Sequence, residues 1–85
     1  MKQSWLITFR SVTFAQKAEN ALKKVGINCV MLRTPRELSA RGCGYCLRLQ
    51  GRDILAAVGL LAEQQISYGK TYALSENGKM EEREV

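Results

Sequence analysis

The chain has 85 residues, enough for one domain with a single modest core, and its composition of 46% hydrophobic and 25% charged residues is that of an ordinary globular protein. It contains no histidine, which excludes Ser-His and Cys-His nucleophile pairs and imidazole metal ligands. The net charge of +5 is uneven: residues 1–74 hold 11 basic and 4 acidic residues, whereas residues 75–85 hold 2 and 4. A basic body attracts nucleic acid, small anions or an acidic protein, and it also keeps a small protein soluble.

The location of the protein is predicted from what its sequence lacks. No segment approaches the roughly 20 apolar residues that cross a bilayer. The first mostly apolar run, residues 5–9, is too short for a secretory signal. We therefore expect a cytoplasmic protein without a membrane partner, in which the three cysteines are reduced thiols rather than a disulfide scaffold.

The N-terminal part predicts a strand, a helix and a second strand. Residues 5–9 are rich in β-forming side chains. Thr13 is expected to open the helix through a capping box with Gln16, and Gly26 is expected to end it. A second strand follows at residues 29–32. The apolar stripe of the helix is predicted to comprise Phe14, Ala18, Ala21, Leu22 and Val25.

The C-terminal part predicts a strand, a helix and a fourth strand. Residues 46–50 alternate as in a strand with one wet face, and Asp53 is a candidate N-cap for the helix. Gly59 inside that helix indicates either close helix packing or mere tolerance. The fourth strand is centred on residues 71–74, and residues 75–85 are expected to fray. The stripe of the second helix comprises Ile54, Val58, Leu61 and Ala62, widened by Leu55.

The order of elements, β-α-β-β-α-β, predicts the fold. The chain is too short for a parallel sheet with full crossovers, so we expect one α+β domain over residues 1–74. The economical arrangement is ferredoxin-like, a four-stranded antiparallel sheet with both helices on one face. The second strand is expected at an edge, with Met31 on the open face, which allows a homodimer.

The loop between the second and third strands is the segment best suited to chemistry. In the expected topology it lies beside the start of the first helix, and the start of the fourth strand returns to the same end. A helix N-terminus and basic side chains lower the pKa of a nearby thiol, whose thiolate is the reactive form. The residues predicted to bind an anion or a partner there are Arg10, Ser11, Arg36, Arg41, Gly44 and Lys70.

The three cysteines receive different predictions. Cys43 lies between two glycines, which leaves its sulfur accessible, so it is the candidate nucleophile. Cys46 lies at the entrance to the third strand and is the candidate resolving thiol. Cys29 is expected far from the loop, as a small apolar residue of its strand.

The Cys43-x-x-Cys46 spacing has several interpretations. A four-ligand zinc site cannot form from it within one chain, although two chains sharing thiols would suffice, so no metal is predicted for the single chain. A thioredoxin-type motif would stand at a helix start rather than before a strand. A glycine-rich turn with incidental cysteines remains open. Nucleic-acid binding is not expected, because the third strand has no aromatic side chain on which a base could stack.

From Trp5 to about Tyr72 the sequence resembles the selenium/sulfur carrier-like proteins, a family of small bacterial domains. The resemblance rests on Phe9, Ser11, an Ala-rich helix and, most specifically, Pro35-Arg36-Glu37-Leu38-Ser39 followed by Cys43-Gly44. It implies a carrier that holds sulfur or selenium on Cys43 as a persulfide or selenenylsulfide, without another cofactor. Such a carrier needs a donor, such as a cysteine desulfurase or a selenium-pathway enzyme, and an acceptor. Cys46 is not an obligatory part of the pattern.

These observations favour a carrier with Cys43 as its attachment point over a stand-alone enzyme. Two alternatives stay open. One is a module that binds a small anion or a protein through the loop without covalent chemistry. The other is a redox protein that uses Cys43 and Cys46 as a dithiol.

Overall fold

The computed structural model describes residues 3–35, 44–75 and 77–85. Five strands and two helices are present in these ranges, and a short 3₁₀ turn, Gly51–Asp53, leads into the second helix. The elements are β1 (Ser4–Phe9), α1 (Val12–Lys24), β2 (Cys29–Arg33), β3 (Tyr45–Gln50), α2 (Ile54–Glu63), β4 (Thr71–Leu74) and β5 (Met80–Glu82).

The five strands form one antiparallel sheet in the order β2-β3-β1-β4-β5. β3 lies between β1 and β2, as the sequence predicts, and β2 forms one edge. Both helices cover the same face, since their buried residues share one core cluster with side chains from that face. The α+β class with two helices is therefore confirmed. The residues at the centre of this core are Ile7, Phe9, Leu22, Leu47 and Leu61.

The prediction of four strands is wrong, because β5 adds a fifth within the segment that was expected to fray. Tyr72 pairs with Glu82 and Leu74 with Met80. The turn between β4 and β5 includes Gly78 at φ +85, a left-handed conformation that favours glycine. The segment Met80-Glu81-Glu82 has no apolar alternation that would predict a strand. Only Met80 packs against apolar neighbours, so the strand depends on backbone pairing to β4.

α1 begins earlier than predicted. Ser11, not Thr13, is the N-cap, and its Oγ accepts a hydrogen bond of 3.3 Å from the backbone N–H of Phe14. The buried side of the helix is also rotated, so that Phe14 and Val25 are 39% and 58% exposed. Alanines lie in the core against the sheet instead. The buried residues of α1 are Ala15, Ala18 and Leu22.

Met31 does not lie on the open face of the sheet. It is paired with Leu47 and packs against the core beneath the helices. The open-face side chains of β2 are instead Val30 and Leu32, which are 57% and 38% exposed. The alternation of side chains along a strand makes this a choice between two faces, and the register with β3 decides it.

Both helices end with the same pair of backbone hydrogen bonds. At the end of α1, Ile27 N donates to Leu22 O at 3.0 Å and Gly26, at φ +84, donates to Lys23 O at 3.1 Å. At the end of α2, Ile66 N donates to Leu61 O at 2.9 Å. Here, however, the residue with positive φ is Gln65 at +58, a conformation that is strained for a residue with a Cβ.

We predict opposite effects of exchanging glycine and a side-chain residue at these two helix ends. Gly26→Ala should lower the free energy of unfolding by about 1 kcal/mol, because alanine is strained at positive φ. Gln65→Gly should raise it by up to about 1 kcal/mol, because it relieves the same strain. Urea denaturation monitored by circular dichroism measures both. Equal or same-sign changes would contradict the strain argument.

Candidate functional site

One end of the sheet gathers the elements that the sequence predicted to surround the loop. β1 and β2 end there, β3 and β4 begin there, and α1 starts directly after β1. The backbone N–H of Thr34 donates to Gly44 O at 3.2 Å, so the residues that flank the loop are joined. Three predicted site residues, Arg36, Arg41 and Cys43, lie outside the described residues.

Lys70 reaches this end through a buried threonine. Thr8, only 1% exposed, lies opposite Cys46 in the pairing of β1 with β3. Its Oγ1 accepts from Lys70 N at 2.8 Å, and its backbone N–H donates to Lys70 O at 2.9 Å. Gly69 N in turn donates to Thr8 O at 2.6 Å. The start of β4 is thus fixed at the same end of the sheet as the start of β3, with the end of β1 between them, as the sequence predicts.

The charge of Lys70 is already paired. Its Nζ lies 3.4 Å from Glu82 Oε1 on β5, with both side chains more than half exposed. Such an exposed pair contributes little to stability, but it reduces the positive charge that Lys70 offers to an anion. Sequence reasoning missed Glu82 because it did not predict β5. For Thr8, the only indication of a special role in the sequence was that a threonine interrupts the apolar run of residues 5–9.

The start of α1 provides the helix N-terminus that the sequence predicts beside the loop. Ser11 uses its hydroxyl as the helix cap and its carbonyl as acceptor for Ala15 N at 3.1 Å. The N–H groups of Val12 and Thr13 precede the first intrahelical bond, and the first turn contains no acidic residue. A partial positive charge therefore persists at this end, next to the exposed Arg10.

The two residues at the base of the loop differ in character. Gly44 is exposed, and a Cβ placed on it would meet no atom of the described residues within 4 Å. Tyr45 is half-buried, and the guanidinium carbon of Arg33 lies 5.9 Å from the centroid of its ring. This cation–π contact holds a full positive charge beside the loop, from a residue that was not among the predicted anion ligands.

Cys46 is enclosed on the open face of the sheet. It has no exposed surface and packs with Leu6 and Tyr72. Burial raises the pKa of the Cys46 thiol, and the nearby Thr34 hydroxyl lowers that pKa only in part. Among the described residues, the buried Thr34 Oγ1 has no hydrogen-bond partner of ordinary geometry, so its contact with the sulfur is weak and burial dominates. A raised pKa opposes the resolving role predicted for this thiol.

Cys29 is buried on the other face. It lies opposite Leu49 at the end of the hairpin away from the loop and is 6% exposed beneath the helices. Burial raises the pKa of its thiol, the Glu19 carboxylate adds to that effect, and Lys23 opposes it. Cys29 and Cys46 are both free thiols on opposite faces of the sheet, so they cannot form a disulfide with each other.

The described ranges hold neither a metal-binding cluster nor a membrane-spanning helix. No three His, Cys, Asp or Glu side chains there lie close enough to hold a metal ion. In the same ranges, neither helix combines the length and the apolar character that crossing a bilayer requires.

The fold and this end of the sheet define a small α+β domain with a cysteine-containing loop between β2 and β3. A family model described as "Putative Se/S carrier protein-like" matches residues 4–73, and the chain therefore belongs to this family. The match covers the first three strands, both helices and β4 except for its last residue, as the resemblance indicated, whereas β5 lies beyond it. No curated protein and no solved structure matches the chain.

We predict that the Cys46 thiol makes stability fall at alkaline pH. The folded-state pKa is raised above its ordinary value of 9.0, so the stabilising contribution is complete below pH 9.0 and is lost as the pH rises through the folded-state pKa. Above pH 9.0, the free energy of unfolding of Cys46→Ala should therefore decrease less steeply with pH than that of the wild type. Denaturation curves at several pH values measure the difference. Parallel pH curves would contradict it.

We predict that the Thr8 hydroxyl stabilises the start of β4. Thr8→Val keeps the volume but leaves the Lys70 N–H without its side-chain acceptor, which should lower the free energy of unfolding by about 1–3 kcal/mol. The control, Thr8→Ser, keeps the hydroxyl and should restore protection of the Lys70 amide in hydrogen exchange. The interpretation fails if Thr8→Val leaves that amide as protected as in the wild type.

Proposed function

We propose that this protein carries sulfur or selenium, as a persulfide or selenenylsulfide on Cys43, and delivers it to a partner enzyme. Membership of the carrier-like family over residues 4–73 supports the class of activity. The observation that carries the choice of residue is the burial of the two other cysteines. Cys29 and Cys46 are both enclosed and have raised pKa values, which makes them poor nucleophiles at neutral pH and leaves Cys43 as the attachment point.

The transfer requires no external oxidant. The Cys43 thiolate attacks the outer sulfur of a persulfide on a donor, such as a cysteine desulfurase. A new S–S bond forms on Cys43 while the S–S bond of the donor breaks, and the donor cysteine leaves as a thiolate. In delivery, an acceptor nucleophile attacks the outer atom and Cys43 leaves as a thiolate. A selenium donor would transfer its outer selenium in the same way.

The surroundings of the loop favour an anionic sulfur. The exposed Arg10, the helix N–H groups of Val12 and Thr13, and the Arg33 guanidinium provide positive charge at this end of the sheet. We propose that Arg36 and Arg41 add to it, and that the exposed Gly44 leaves room for a partner beside Cys43. Ser11 contributes through the helix that it caps, and Lys70 contributes once a partner displaces Glu82.

The proposal extends to fold family and location. The order β2-β3-β1-β4 supports the description of the domain as ferredoxin-like, with β5 added at one edge. A persulfide carrier needs reduced thiols, and we therefore propose that the protein works in the cytoplasm, a reducing compartment.

We predict that a desulfurase loads this protein on Cys43. Incubation with a cysteine desulfurase and cysteine should add the mass of one sulfur atom, and a reductant should remove it. Intact and peptide mass spectrometry locate the adduct, which should be lost in Cys43→Ser. Selenocysteine with a selenocysteine-cleaving enzyme tests the corresponding selenium adduct.

The buried cysteines provide matched controls. Cys29→Ala and Cys46→Ala should both load like the wild type, because neither thiol is accessible in the folded protein. Loss of two hydrogens with a bond between Cys43 and Cys46 would favour a redox dithiol instead. Absence of any adduct, with the donor shown to be active on another acceptor, would favour a binding module without covalent chemistry.

A further inference from the structure

α2 lacks the polar side that a surface helix normally has. Apart from Glu63 at its end, the helix consists of apolar residues and glycine, and a helix that is apolar all round is usually enclosed. Here only Ile54, Ala57 and Leu61 are buried. Leu55 on the outward side is 71% exposed, the highest value among the large apolar side chains in the described part of the chain. The outward face of α2 therefore has the composition of a contact surface.

Gly59 lies in the middle of this outward face. A Cβ placed there would meet nothing within 4 Å, so packing within the described residues does not require glycine at this position. Glycine weakens a helix relative to alanine. What it offers in return is close approach of another backbone, and none of the described segments approaches it.

Two opposite charges bracket the same face. Arg52 precedes α2 and Glu63 ends it, and both are exposed. Arg52 stands seven positions before Gly59 and Glu63 four positions after it, about two turns and one turn away. If the helical period is continued through the 3₁₀ turn that holds Arg52, both charges lie on the same side as Gly59. In the described residues, no ion pair engages either of them.

The face is complementary to itself in an antiparallel arrangement. If two α2 helices pack antiparallel about a twofold axis, Arg52 of each copy meets Glu63 of the other. In the same register Ala56 meets Gly59 of the second copy, because both pairs are centred on the same point of the helix, between Ala57 and Val58. A twofold interface requires this kind of self-complementary surface. The same antiparallel register of the two helices thus brings together both the charged pair and the pair of small residues.

We propose that the outward face of α2 is a self-association surface that binds a second copy of this chain through an antiparallel α2–α2 contact. The helix has ten residues, a length of about 15 Å, which places the contact at the small end of protein interfaces. The dimer therefore dissociates readily on dilution. It is independent of sulfur transfer and leaves the open face of the sheet uncovered.

Sedimentation velocity over a wide concentration range tests the proposal. The wild type should approach the dimer mass as its concentration rises. Gly59→Gln should remain a monomer, because its side chain separates the two helices. The same variant should unfold at an equal or higher temperature, since glutamine favours helix more than glycine and the monomer has room for it. A loss of dimer with intact folding thus identifies the surface.

Charge reversal tests the register. Arg52→Glu should weaken the dimer roughly tenfold, because two symmetric attractions become repulsions, and adding Glu63→Arg should restore it. Arg48→Glu on the open face makes the same change in charge and should leave the dissociation constant within about twofold of the wild type. A wild type that stays monomeric throughout overturns the proposal. So does a dimer that tolerates Gly59→Gln, as one formed through the β2 edge would, or one that the double reversal does not restore.

Discussion

The register of β3 between β1 and β2 is the constraint on which the rest of the molecule depends. Side chains alternate along a strand, so a register fixes the face that every residue takes. Leu49 lies opposite Cys29 and faces the helices, whereas Cys46 lies opposite Leu32 and faces away from them. This one pairing builds the helix-side core, separates the two described thiols, and brings the residues flanking the loop together through Thr34 and Gly44.

The polar contacts at the loop end of the sheet serve both structure and electrostatics. Thr8 ties β4 to the centre of the sheet, and Ser11 starts α1 immediately beyond β1. The positive charge at this end comes from a helix terminus and from Arg10 and Arg33, while Glu82 on β5 opposes it through Lys70. β5 thus adds an acidic element to the loop end of the sheet, and it lies outside the part of the chain that matches the family.

Local signals in the sequence predicted the elements well where a residue's own chemistry decides the structure. Gly26 ends α1 because few other residues tolerate its positive φ, and the apolar alternation of residues 46–50 is that of β3. The predictions were wrong where contacts with another segment of the chain decide the structure. The spacing of apolar residues in α1 allowed Phe14 to be buried or exposed, and packing of the neighbouring alanines against the sheet left it exposed. β5 forms because the edge of β4 is otherwise unpaired. At the candidate site, the sequence correctly brought Lys70 to the end where α1 starts, but it could not show that Glu82 pairs with it.

The sequence by itself determined the order of the β1-to-β4 elements, the absence of imidazole chemistry, the cysteine-containing loop and the family resemblance. These follow from residue types and short-range spacing, which are written directly in the chain. Only the tertiary structure decided that Cys46 is enclosed with a raised pKa, that Met31 faces the helices and that α2 turns an apolar side to solvent. Burial depends on what other segments cover, and solvation sets both the pKa of a thiol and the role of an apolar face.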